Sequence, residues 1–187
     1  FGQEHKKTID AICNSATIHK HQGNVERAEQ LYRESLKLEI RLRGENAHDV
    51  LITKLNLGSL LTGLGKYKEA EELLVDACQA LEDSVGEIHP DTLIAYGNLG
   101  TLYEKNGNIE QAKIYYQKDL SGCIDVYGIS HPDTLTSENN LALLYLSEGD
   151  FEQAETHFQR VLCCRQDMLG DLHPSTTNSM VSLAGLY

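Results

Sequence analysis

Four asparagines stand at a constant interval along this chain: Asn14, Asn56, Asn98 and Asn140 are spaced by 42 residues. A carboxamide offers one acceptor and two donors, so a single Asn can pair with both the N–H and the C=O of an extended backbone. A row of them would hold a peptide with little regard to its sequence. The competing role for each is an internal hydrogen bond within the fold. The other residue types with chemical potential lose it on spacing. His5, His89, His131 and His173 recur once per interval, too far apart for shared metal ligation, and each stands where a helix is expected to start. Cys163 and Cys164 are adjacent, and neighbours on a helix point about 100° apart, which argues against joint chelation. No Gly-rich phosphate loop, nucleophile elbow or paired-carboxylate constellation is present. No enzyme is expected, and no metal or cofactor.

The interval belongs to whole stretches. Asn98-Leu99-Gly100-Thr101-Leu102-Tyr103 runs through an Asn106-Gly107-Asn108 turn to Ile109-Glu110-Gln111-Ala112. Asn14, Asn56 and Asn140 open similar stretches that end at Ala28, Ala70 and Ala154. A fixed period of this length is the signature of a repeat array. The repeats fall at about 3–44, 45–86, 87–128 and 129–170, with a partial fifth at 171–187, as one array over 1–187. Phe1-Gly2 matches the closing pairs Arg43-Gly44, Val85-Gly86, Tyr127-Gly128 and Leu169-Gly170, and Ser182–Tyr187 stops in mid-helix. Solenoids end in polar capping repeats, and neither end looks capped. The chain therefore reads as a piece of a longer array, with self-association through the ends around Phe1 and Tyr187 as a property this would allow.

Within each repeat the elements can be placed. Gly86, Gly128 and Gly170 suit a helix C-terminus that needs positive φ. Pro90, Pro132 and Pro174 suit a first helical position, where a missing N–H costs nothing. Asp91 and Asp133 follow in the first turn, at the positive end of the helix dipole. Repeat two departs with Asn46-Ala47-His48-Asp49, its His one place late and no Pro. Leu93, Tyr96, Leu99 and Tyr103 form one apolar helical stripe; Ile109, Ala112, Tyr116, Leu120 and Cys123 form another, as do Phe151, Ala154, Phe158, Leu162 and Arg165. Turns at Gly23, Gly65, Gly107 and Gly149 make the two helices of a repeat antiparallel neighbours. Small residues at Ala16, Gly58, Gly100, Ala142 and Ala184, and at Ala28, Ala70, Ala112 and Ala154, allow close approach of paired helices. No strand pattern occurs, and the fold class is all-α.

Composition narrows the function classes. With 187 residues and 41% hydrophobic content the chain can bury a substantial core. It has no apolar run long enough for a membrane span, so no membrane insertion is expected. Five scattered cysteines without CxxC spacing form no disulfide framework and fit a reducing, intracellular setting. A net charge of −12 argues against non-specific nucleic-acid binding. Much of the negative charge falls on second helices, from Glu26, Glu29, Glu34 and Glu39 to Glu152 and Glu155, and reads as a solvated outer face rather than a docking site for basic partners.

This grammar resembles the tetratricopeptide repeat (TPR), a helix–turn–helix unit. Asn98–Tyr103 and Ile114-Tyr115-Tyr116-Gln117-Lys118 lie close to its general pattern. The 42-residue length, His131-Pro132-Asp133-Thr134, Asn139–Tyr145, Glu152-Gln153-Ala154-Glu155 and Leu169-Gly170 are similar to the kinesin-light-chain type, over essentially the whole chain. The resemblance implies an α-solenoid, antiparallel helix pairs stacked in a right-handed superhelix, acting as a cytoplasmic protein-interaction scaffold or adaptor. It also implies that the Asn ladder faces a concave groove that binds a peptide segment of a partner protein. Carried over by the repeat, the groove holds Asn14, Asn56, Asn98 and Asn140, with Ile52, Ile94 and Thr136 one turn before and Thr17, Ser59, Thr101 and Leu143 after. Lys20, His21 and Lys105 come a further turn on. The chaperone-type clamp that grips a C-terminal carboxylate needs Lys or Arg where this chain has Ile94 and Asn98, so that clamp is not expected. The alternative role is an intramolecular or self-associating regulatory domain.

Overall fold

The order of helices follows from the caps. The computed structural model describes residues 6–186, and within them the elements are α1 (Lys6–His21), α2 (Val25–Arg43), α3 (His48–Gly63), α4 (Tyr67–Val85), α5 (Pro90–Lys105), α6 (Ile109–Tyr127), α7 (Pro132–Glu148), α8 (Phe151–Leu169) and α9 (Pro174–Ala184). No strand occurs among the described residues. The expectations that rest on Phe1, Gly2, His5 and Tyr187 lie outside them.

The Gly-x-x-His-Pro linkers work as a joint. Gly86 closes α4 at φ 97° and ψ 164°, a region open essentially to glycine alone. His89 is the N-cap of α5, and its Nδ1 accepts from the backbone N–H of Asp91 at 3.2 Å. His131 and His173 cap α7 and α9 in the same way, from Asp133 and Ser175. Each imidazole must therefore be the tautomer protonated on Nε2. The recurrent histidines are helix caps, with Pro at the first helical position. Thr92 and Thr134 complete the joint by donating to the carbonyls of Gly86 and Gly128, both at 2.8 Å.

The helices gather into two compact units, Phe1–Asn106 and Gly107–Tyr187. In the first, α1 packs on α2 and α3 on α4, while α2–α3, α4–α5 and α3–α5 contacts join the pairs. In the second, α7 packs on α6 and α8, and α9 on α8. Tyr32, Leu74, Tyr116 and Phe158, one per repeat at the same place on the second helix, are almost wholly buried. The stripe Leu93, Tyr96, Leu99 and Tyr103 is buried as its spacing requires. Phe151 is a correction: it is 58% exposed. It is the first residue of α8, and helical side chains lean toward the N-terminus, here toward solvent.

Gly58 is the sharpest case of close approach. A Cβ there would lie 2.6 Å from Leu74 Cγ and 2.7 Å from its Cδ2. Glycine to alanine in a helix interior ordinarily gains about 1 kcal/mol. At this site overpacking of about 1–3 kcal/mol opposes that gain, so Gly58→Ala is expected to leave the protein no more stable, or less. Urea denaturation checks it; a clear gain in stability would show that Leu74 yields freely.

The acidic residues need a second correction. Glu39 is 2% exposed, in the seam where α2 meets α1 and α3. Its Oε1 accepts from Ser35 at 3.4 Å and its Oε2 has no partner. Burial pushes its carboxyl above the ordinary range. Asp119 on α6 of the second unit is 6% exposed, accepts from Cys123 Sγ at 3.5 Å and is likewise raised by burial. Several other second-helix carboxylates hold the array together instead of only facing water. Arg33 joins Glu29 to Glu69 of the next repeat, and Lys66 reaches Glu29 at 2.8 Å. Glu71 accepts from Tyr103 at 2.8 Å and Glu82 from Tyr96 at 2.6 Å.

Candidate peptide-binding face

In the first unit three first helices, α1, α3 and α5, carry one Asn each. Asn14 is exposed; Asn56 and Asn98 are half-buried. Among the described residues none of these carboxamides, nor that of Asn140 in the second unit, has a side-chain hydrogen-bond partner, and none of their polar atoms is sealed from solvent. The internal bond that would compete with ligand pairing is thus not made. A carboxamide left open costs nothing while water reaches it.

The neighbouring positions divide into engaged and open. Lys20 of α1 donates to Ser59 Oγ of α3 at 3.2 Å, which brings two expected groove residues together, and burial lowers the lysine pKa. Thr17 is turned inward: its hydroxyl pairs with Tyr32 Oη at 2.9 Å and with the Cys13 carbonyl at 3.2 Å. Thr101 donates to the Gly97 carbonyl at 3.0 Å. Ile94 is 56% exposed and Ile52 half-buried, so the α5 side offers an apolar step beside the amides. His21 and Lys105, the last residues of α1 and α5, are both exposed. In the second unit Asn140 is half-buried on α7, Leu143 is 41% exposed, and Thr136 is exposed with its hydroxyl returned to the Pro132 carbonyl at 2.9 Å.

Sequence reasoning missed two features here. His48 is one place late in its repeat, and this shift brings its ring to 6.5 Å from that of His89. Its Nε2 lies 2.8 Å from Asp91 Oδ2, so separation along the chain does not keep these two histidines apart. Both stand at helix N-termini, where the dipole disfavours a cation, and among the described residues no group of three or more His, Cys, Asp or Glu is arranged to hold a metal. The second is a buried charge two residues before the Asn in repeats two and four. Lys54 is 5% and Glu138 1% exposed. The signal was available: Ile12 and Tyr96 hold this place in repeats one and three.

Known proteins resemble the chain as follows. The family model of the tetratricopeptide repeat matches residues 8–83 and 91–167. No curated protein sequence matches. Among solved structures, BtubC (BKLC) from P. vanneervenii is 23% identical with a TM-score of 0.83, covering 97% of this chain and 72% of that one. The nearly identical TPR-like repeats of a Podosopora anserina protein assigned as a kinesin light chain are 22% identical with a TM-score of 0.84, over 98% of this chain and 87% of theirs. A point variant of those same repeats is 21% identical with a TM-score of 0.85, over 100% of this chain and 87% of the variant. At these identities the likeness concerns the fold. No helix among the described residues is long and apolar enough to cross a membrane.

Proposed function

Because the chain belongs to the tetratricopeptide repeat family, whose members are generally protein-interaction scaffolds, we propose that it binds an extended segment of a partner protein along its first helices. Asn14, Asn56 and Asn98 pair with the backbone of that segment in the first unit, and Asn140 does so in the second. The observation that carries this reading is the open state of the four carboxamides. Ile52, Ile94 and Leu143 select apolar side chains, and the region of Lys20, His21, Ser59 and Lys105 selects polar ones. The module is a non-catalytic adaptor of kinesin-light-chain character that works in the cytoplasm, in keeping with five cysteines that are all free thiols.

The test is binding of tiled cytosolic peptides to the wild type and to Asn56→Ala/Asn98→Ala. A net hydrogen bond contributes about 0.5–1.5 kcal/mol. Losing two such pairings is therefore expected to weaken binding about 10- to 100-fold, with helicity by circular dichroism unchanged. Equal binding by wild type and variant would remove the asparagines from the site.

A further inference from the structure

Buried charges of opposite sign occupy the same place in repeats two and four. Lys54 on α3 gives its ammonium to Asp76 on α4 at 2.5 Å, with the Glu45 carbonyl at 3.5 Å as its other acceptor. Glu138 on α7 takes the guanidinium of Arg160 on α8, with His157 Nδ1 at 3.1 Å. The repeat carries Lys54 onto Glu138 and Asp76 onto Arg160, each 84 residues on. The two pairs therefore bridge the first and second helix of their repeats at one register, with the polarity reversed. Both first-helix members are nearly sealed from water, at 5% and 1% exposure. For stability alone either polarity serves; the polarity matters only when one repeat's helix meets another's.

We propose that this inversion is a pairing code that keeps α3 from the second helix of repeat four and α7 from the second helix of repeat two. Repeats so alike in length and pattern can exchange helices, in a collapsed intermediate or with a second copy of the chain. An α3 helix seated on α8 would set Lys54 against Arg160. An α7 helix seated on α4 would set Glu138 against Asp76. Each of these two exchanges faces a buried charge with one of its own sign, whereas an apolar contact at this place would accept either partner. Specificity then comes from the repulsion built into the alternatives as well as from the correct pair. The code is independent of any ligand, so it stands or falls separately from peptide binding.

Transplanting the pair of repeat four into repeat two tests the code. Lys54→Glu with Asp76→Arg restores a bridge but makes the two repeats read alike. The full chain is refolded from urea at a series of concentrations, and the native monomer is measured by size exclusion with light scattering. The variant is expected to match wild type in urea midpoint once native, yet to give misassembled and dimeric species at roughly three times the wild-type fraction or more. A wild-type yield of native monomer would overturn the proposal. Should that variant not reach a native state, Lys54→Met with Asp76→Leu decides. It removes the code while keeping the packing, and misassembly at the wild-type level would again overturn the proposal.

Discussion

Phe158→Ala is expected to destabilise the second unit by about 3–5 kcal/mol, the range for a large aromatic cut from a packed core. Phe158 is fully buried on α8, and it holds the position taken by Tyr32, Leu74 and Tyr116 in the other repeats. Such a solenoid is held by its own repeats and their nearest neighbours, so little can be redistributed when one core anchor is lost. Against a typical domain stability of about 5–15 kcal/mol, the change is enough to leave α7–α9 partly unfolded at physiological temperature. Urea denaturation followed at 222 nm would read it as a lower midpoint or as an early separate transition. Phe151→Ala is the internal control: an exposed residue on the same helix is expected to move stability by less than about 0.5 kcal/mol. Similar losses at the two positions would mean that Phe151 is packed into the core as Phe158 is.

Asp76→Ala comes next in size. Lys54 has a side chain 6% exposed, while its partner Asp76 is 58% exposed. Removing the carboxylate leaves a buried ammonium facing one carbonyl. Breaking a fully buried pair costs about 3–5 kcal/mol; with one partner half in water, a loss of about 2 kcal/mol is expected after discounting for screening. Lys54→Met should behave differently, because it removes the charge that needs solvation, and it is expected within about 1 kcal/mol of wild type. The contrast between the two is the informative quantity. Equal losses would show that the pair contributes net attraction rather than relief of a buried charge.

Sequence was most legible where one residue type has one physical use. Gly86 and Pro90 bracket a joint that few other residues can make, and the stripe from Leu93 to Tyr103 has no other way to bury itself. Helix existence and order followed from these. It was less legible where a residue's environment depends on a neighbour far along the chain. Glu39 looks like any surface glutamate until α1 and α3 close over it. Phe151 looks like a core residue until its place at the start of α8 turns it outward. Thr17 shares the register of Ser59, yet Tyr32 is near enough to take its hydroxyl inward, whereas Ser59 instead meets Lys20. The asparagines kept their ambiguity in sequence because the choice between internal bond and open carboxamide rests on side-chain placement.

In the proposed mode of binding, recognition runs through the ligand backbone. The direct measurement is a fluorescence-anisotropy titration of the best-binding peptide beside copies N-methylated at one amide each, against wild type and Asn56→Ala/Asn98→Ala. Methylation removes a donor and leaves the side chains in place. Backbone pairing requires that methylation at one or two positions weaken wild-type binding by about tenfold or more, and that the variant be indifferent at those same positions. Affinity that follows the peptide's side chains and ignores every N-methyl group would contradict it.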